Sequence, residues 1–143
     1  MIVLTMLMYF IVVRFTPRKR FKRDLPSIDR MDGLDFEKLI GAIYEDLGYK
    51  VEVTKASGDF GADVLTLKNG EITAIQCKRY SNLVGITAVQ EVTGAIAYYK
   101  AHKGAVITNN YYTEAAKTLA KVNHIELIDR KGLENLLKKC NTF

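Results

Sequence analysis

"GADVLTLKNGEITAIQCKRY", residues 61–80, decides the fold. Two apolar runs flank Asn69-Gly70, the strongest short-range signal for a two-residue hairpin loop. With that loop in place, Lys68 pairs with Glu71, Leu67 with Ile72, Leu65 with Ala74 and Asp63 with Gln76. Directly opposed residues share one face of a sheet, their Cβ atoms about 5 Å apart. Lys78, two positions beyond Gln76, lies on that face as well. The face therefore reads Asp63, Leu65, Leu67, Ile72, Ala74, Gln76, Lys78. It is apolar for most of its length and polar only at the end away from the turn.

That end gathers a carboxylate, an amide and an amine. A carboxylate and an amide oxygen are hard ligands suited to Mg²⁺. The backbone carbonyl of Cys77 adds a third oxygen. Mg²⁺ keeps several waters, and one of them can attack a phosphodiester. Lys78 would orient that water or stabilise the charge that grows on the phosphate. The plainer reading is an Asp63–Lys78 ion pair at a sheet end, with Gln76 filling a hydrogen bond.

Outward from the hairpin, "LDFEKLIGAIYEDLGY" sets Phe36, Leu39, Ile40, Ile43 and Leu47 on one helical face, with Asp35 as N-cap and Gly48 as stop. "YKVEVTK" alternates like a strand and "SGDFGAD" reads as a loop. Thr87 and Gln90 have the spacing of a capping box, opening a helix that buries Val89, Val92, Ile96 and Tyr99. "GAVIT" (104–108) and "IELI" (125–128) read as short strands. A helix from Thr113 through Leu119 lies between them, and a last helix from Asp129 carries Leu133, Leu136 and Leu137. The expected order is αβββαβαβα. A hairpin followed by alternating strands and helices gives an α/β fold, a mixed central sheet with helices on both faces.

The chain has 143 residues, 48% hydrophobic and 26% charged, an ordinary globular balance with room for one core. Its two cysteines, Cys77 and Cys140, lack metal-ligand spacing, which suggests neither a zinc site nor a disulfide framework. Its net charge is +5. That excess comes entirely from residues 14–30, where Arg14, Arg18, Lys19, Arg20, Lys22, Arg23 and Arg30 face Asp24 and Asp29. Removing these from the 21 basic and 16 acidic residues leaves equal numbers of each sign in 31–143. A nucleic-acid groove would therefore need local arrangement rather than bulk charge.

"MIVLTMLMYFIVV", residues 1–13, carries no charge and is followed by the basic cluster "RKRFKR". The run is short against the roughly 20 residues of a spanning helix, and it lacks the flanks of a secretory signal. The expected organisation is an apolar membrane-anchor helix over 1–15, a basic linker over 16–32 and one domain over 33–143. The basic cluster holds the domain on the cytoplasmic side of the inner membrane, against anionic lipid. Without a true span the chain is cytoplasmic.

Taken together, "FEKLIGAIYEDLGYKVEVTKASGDFGADV", "AIQCKRY", "AVQEVTGA" and "GAVITNNYYTEAA" resemble the Mrr-type restriction endonuclease family of the PD-(D/E)xK nuclease superfamily. The resemblance runs from about Leu34 to Leu137. It implies a restriction-endonuclease-like fold acting on DNA with Mg²⁺, Mn²⁺ serving as a substitute. Asp63 matches the family's metal-binding aspartate, and Gln76 with Lys78 matches the QxK form of its catalytic dyad. Glu37 matches a helix acid that joins the metal site in related nucleases. Asp59, Arg79 and Gln90 are the candidate DNA contacts. Gln76 departs from the second carboxylate usual in the superfamily. The family's namesake also carries a separate DNA-reading domain, where this chain has the apolar segment and the basic linker.

Three functions compete. The first is a membrane-tethered, Mg²⁺-dependent DNA endonuclease, a homodimer if it cuts both strands. The second is a catalytically weak or inactive nuclease-fold module that binds DNA. The third is a membrane-bound scaffold without a nucleic-acid role.

Overall fold

A computed structural model describes residues 20–54 and 60–140. Strands β1 (Lys50–Val53), β2 (Val64–Lys68), β3 (Glu71–Lys78), β4 (Lys103–Thr108) and β5 (Glu126–Ile128) form one sheet in that order. Neighbours are antiparallel from β1 to β3 and parallel from β3 to β5, so β3 is the strand at which the sheet changes character. Helices α1 (Leu25–Asp29), α2 (Gly33–Asp46), α3 (Ile86–Tyr99), α4 (Glu114–Val122) and α5 (Arg130–Lys139) complete the domain.

The hairpin forms in the expected register: Lys68 opposes Glu71, Leu67 Ile72 and Leu65 Ala74. Asn69 and Gly70 have φ of 51° and 75°, as a type I′ turn demands at both central positions. Strand alternation then divides the core. Val64, Ile75, Cys77 and Ile107 face α1, α2 and α5, packing on Ile28, Phe36, Leu39, Ile40, Ile43, Leu133 and Leu137. Leu65, Ala74 and Val106 face α3 and α4, packing on Val89, Val92, Ala95, Ala116 and Ala120. Phe36, Leu39, Ile40 and Ile43 are all fully buried. Each such side chain contributes about 1.5–3 kcal/mol by leaving water.

Two helix starts differ from expectation. Helix α2 begins earlier, because Asp32 is the N-cap and accepts from the Asp35 amide at 2.7 Å. Both aspartates suit a cap, and the one whose backbone is extended takes the role. Helix α3 is capped by Gly85 without a side-chain bond, so Thr87 lies inside the first turn and no capping box forms. The cause is tertiary. The Val84 amide donates to Tyr111 O and the Thr113 amide to Val84 O, which anchors the chain just before Gly85.

Part of the stretch expected as linker is also built into the domain. Asp24 caps α1 through the Ser27 amide, Pro26 sits in its first turn, and Ile28 is fully buried. Residues 1–15, expected as an apolar anchor, lie outside the described residues. Among the described ones no helix is long and apolar enough to cross a membrane.

Candidate active site at the carboxyl end of β3

Asp63 enters β2 at the end of the hairpin away from the turn. Its amide donates to Ile75 O at 2.8 Å, and its carbonyl accepts from the Thr54 amide at 2.9 Å. Its carboxylate is turned back across the hairpin, Oδ2 accepting from the Cys77 amide at 2.9 Å. Asp63 is 5% exposed, and this bond offsets part of the cost of burying it. Gln76, also 5% exposed, has its Oε1 buried without a donor among the described residues. A buried acceptor left unmade costs about 1–3 kcal/mol.

Lys78 ends β3. Its ammonium lies 3.1 Å from Glu91 Oε2 and 5.9 Å from the centre of the Tyr80 ring. Burial pulls the Lys78 pKa down. The hydrogen bond and charge of Glu91 outweigh it, so the group stays above the usual lysine value and is charged at neutral pH. The ion pair that the plainer reading gave to Asp63 is thus made with Glu91 of α3.

The family resemblance puts both Gln90 and Glu91 on the helix that flanks the site, with Gln90 alone a candidate DNA contact. The helix explains why Glu91 is the one that reaches Lys78. Ala88, Val89, Val92 and Ala95 are the buried positions of α3. Glu91, three after Ala88 and four before Ala95, lies on the flank of that stripe. Gln90 is exposed. An acid bordering a buried stripe, in the helix that follows the QxK strand, was the available signal. Gly61 ties the same residue to the Asp63 loop. Its φ is +87°, and a Cβ there would collide with the Glu91 carbonyl.

Glu37 stands on α2, near enough to Cys77 for its charge to act on that thiol together with that of Asp63. Burial, then the charges of Asp63 and Glu37, push the Cys77 thiol between them well up, so it stays protonated and inert. Arg79 points to the face opposite Lys78, as alternation requires, and its Nη1 donates to Asp29 O at 3.2 Å. There it lines a cleft of about 370 Å³ with Asp29, Tyr80, Ser81, Asn109 and Arg130. Its Nε is buried without an acceptor. Asp59 lies outside the described residues. His102 is occupied far from this end, Nδ1 accepting from the Ile72 amide at 3.0 Å.

Among the described residues no three His, Cys, Asp or Glu side chains gather as a metal cluster. A buried amide oxygen without a donor, opposite a carboxylate, still fits a hard cation that keeps most of its waters. Asp63 and Gln76 Oε1 would hold it, with the Cys77 carbonyl.

A mixed five-stranded sheet flanked by helices is structurally similar to restriction-endonuclease folds. Residues 28–137 match the family profile Mrr_cat, described as restriction endonuclease, and the chain belongs to that family. It is 33% identical over 111 residues to the type IV methyl-directed restriction enzyme EcoKMrr of Escherichia coli (strain K12). That match covers 71% of this chain but only about a third of the relative, 36%. Among solved structures, AF1548, a protein described as of unknown function, superposes with a TM-score of 0.62 at 18% identity, over 74% of this chain and 65% of that one. The DNA modification-dependent restriction endonuclease AspBHI gives 0.57 at 17% identity, over 89% and 41%. The MspJI restriction endonuclease, in complex with a 27-mer oligonucleotide, gives 0.56 at 15% identity, over 83% and 35%.

Proposed function

We propose that this chain is a divalent-metal-dependent endodeoxyribonuclease that hydrolyses phosphodiester bonds at the carboxyl end of β3, in restriction of foreign DNA. The observation that carries the reading is the buried Gln76 Oε1, left without a donor beside Asp63 and Lys78. A satisfied structural network would have no such acceptor. A bound Mg²⁺ or Mn²⁺ supplies Lewis acidity and a water activated at neutral pH.

The chain's own residues do the rest. Asp63 and Gln76 present oxygen ligands. Lys78, charged and held at the rim, stabilises negative charge on the scissile phosphate. A charged lysine is an electrostatic clamp and not a proton acceptor. Arg79, on the other face of the same strand end, lines a cleft and positions a backbone phosphate there without reading its sequence.

The test is nicking of supercoiled plasmid by the full chain with Mg²⁺, Mn²⁺ or EDTA, beside Asp63→Ala. Metal-dependent nicking that the variant loses is expected. Nicking that survives in a homogeneous variant preparation rejects the reading.

A second reading keeps the fold and drops the chemistry: a module that binds DNA without cutting. The neutral Gln76 and the charge balance of residues 31–143 favour it. It predicts DNA binding that weakens steeply with salt, and no metal-dependent products.

A further inference from the structure

Phe60 and Tyr98 stack on the surface of the domain, ring centroids 3.7 Å apart and planes 16° from parallel. Tyr99 closes the group, its ring edge-on to Tyr98 at 4.9 Å and its hydroxyl accepting from the Phe60 amide at 3.4 Å. Even so, Phe60 is 52% exposed and Tyr98 54%. Stacking covers one face of each ring and leaves half of each side chain in water, where a flat apolar body gains by a further partner.

The place of the stack ties it to the candidate site. Phe60 lies three residues before Asp63, at most about 10 Å along the chain. Gly61, next to it, packs against the Glu91 carbonyl. Tyr98 follows Glu91 by seven residues on α3, about 10 Å along the same flank of the helix. Between them on that flank stands Gly94, exposed, with nothing within 4 Å of where a Cβ would sit. Glycine is the poorest helix former short of proline, and packing does not require this one. It leaves a bare strip of helix between the rings and the site. The other exposed positions nearby, Gln90 and Ala97 of α3 and Lys100 at its C-cap, are polar or small. The patch is therefore too narrow for an apolar protein surface. It suits one flat ring, with Lys100 as a cation for an attached phosphate.

We propose that the Phe60–Tyr98 stack is a platform for an unpaired nucleobase of a DNA strand whose backbone crosses Gly94 toward Asp63 and Lys78. About 10 Å is the length of three base steps in stacked DNA, so the bound base is a near neighbour of the phosphodiester at the site. Every base has a π-face, so the platform holds single strands without reading sequence, while a base paired inside a duplex cannot reach it. The inference rests on the nucleic-acid reading of this chain.

Fluorescence anisotropy of end-labelled DNA on the full chain tests it, in EDTA so that no strand is cut. The probes are a mixed-sequence single strand, its blunt duplex, and a single strand of equal length whose sugars carry no bases. The proteins are wild type, Phe60→Ala, Tyr98→Ala and Gly94→Leu, each checked by thermal melts. The two alanine variants are expected to bind the single strand roughly tenfold more weakly, and the duplex and the abasic strand within about twofold of wild type. Gly94→Leu, which fills the bare strip, should melt no lower than wild type and still lose single-strand affinity by a similar factor. Unchanged single-strand affinity in the alanine variants overturns the proposal. An equal loss on all three probes overturns it too, because the rings would then act without a base. So does a wild type that binds no single strand, or a folded Gly94→Leu that binds as wild type does. Plasmid nicking with Mg²⁺ in parallel separates the two claims. A wild type that shows the base-dependent pattern but never nicks removes the nuclease reading and leaves the platform; one that nicks without the pattern does the reverse.

Discussion

Two polar clusters sit at the same end of the sheet, one on each face, and they are built to opposite rules. On the α1 side, Arg130 grips Asp29 with two bonds, at 2.8 and 3.0 Å. Asn109 bridges Asp29 and the Tyr80 amide at 2.9 and 2.8 Å. This cluster joins α1, the ends of β3 and β4, and the start of α5, with its carboxylate fully engaged. On the α3 side, Asp63, Gln76, Lys78 and Glu91 occupy a comparable space, yet a buried oxygen is left without a donor. The first network locks elements together with its carboxylate fully engaged, although the Arg79 Nε beside it is buried without an acceptor. The open one retains a cost that a ligand can relieve.

Breaking each cluster should therefore have a different kind of consequence. The largest effect is expected from Lys78→Ala, which lowers the nicking rate at saturating DNA by about 10²–10³-fold, on the scale of losing one preorganised donor. Arg79→Ala instead raises the DNA concentration needed and flattens the salt dependence, with the saturated rate kept. Steady-state nicking at several salt concentrations separates the two.

Next comes Gly61→Ala. The positive φ and the Glu91 carbonyl oppose a Cβ, so a cost of about 1–3 kcal/mol is expected. Because the strain falls between Asp63 and Glu91, nicking should suffer beyond the loss of folded protein. Denaturant melts measure the first part, and nicking normalised to folded protein the second.

Gln76→Met sharpens the contrast most directly. It removes an acceptor that the folded protein leaves unmade, so stability should rise by about 1 kcal/mol while Mn²⁺ binding is lost. Thermal melts with and without Mn²⁺ show both. A destabilised variant would mean that Gln76 is satisfied in solution and that the site is as closed as its counterpart.

The smallest effect belongs to Asp29→Asn. The Arg130 hydrogen bond outweighs the opposing effect of burial and holds the Asp29 carboxyl below its usual value. A depressed acid contributes stability above its unfolded pKa, near 4, and loses it as pH falls through the lower folded value. The side chain is 38% exposed, so solvent screening keeps the contribution under about 1 kcal/mol. Chemical denaturation at pH 7 and pH 3 should show the wild type losing this increment and the variant lacking it at both, with nicking unchanged at pH 7.

Much of the architecture was legible because it is written in local rules. Asn69-Gly70 admits one tight turn, the turn sets the register, and alternation carries the register to Asp63, Gln76 and Lys78. Helical spacing named Phe36, Leu39, Ile40 and Ile43 as a buried face, and they are. Failure came where a distant contact chose between equivalent local signals. Asp32 and Asp35 can both cap a helix. Thr87 and Gln90 have the right spacing, yet the Val84–Tyr112 bridge starts α3 elsewhere. Residues 16–32 looked like a linker because seven basic residues between 14 and 30 mask the core contacts of Phe21, Leu25, Ile28 and Met31 and the long-range pairing of Arg23 and Asp29.

The sequence by itself thus determined the hairpin, the order of elements and the residues that share the polar end of one sheet face, since each follows from periods of two and 3.6 along the chain. Only the tertiary structure decided which partner each charge takes. Lys78 had Asp63 close in the pattern, and Glu91 was thirteen residues away on a helix. Packing α3 across β3 brought Glu91 to 3.1 Å, because a charge is satisfied by whichever opposite group the fold brings within reach, and sequence spacing does not measure that distance.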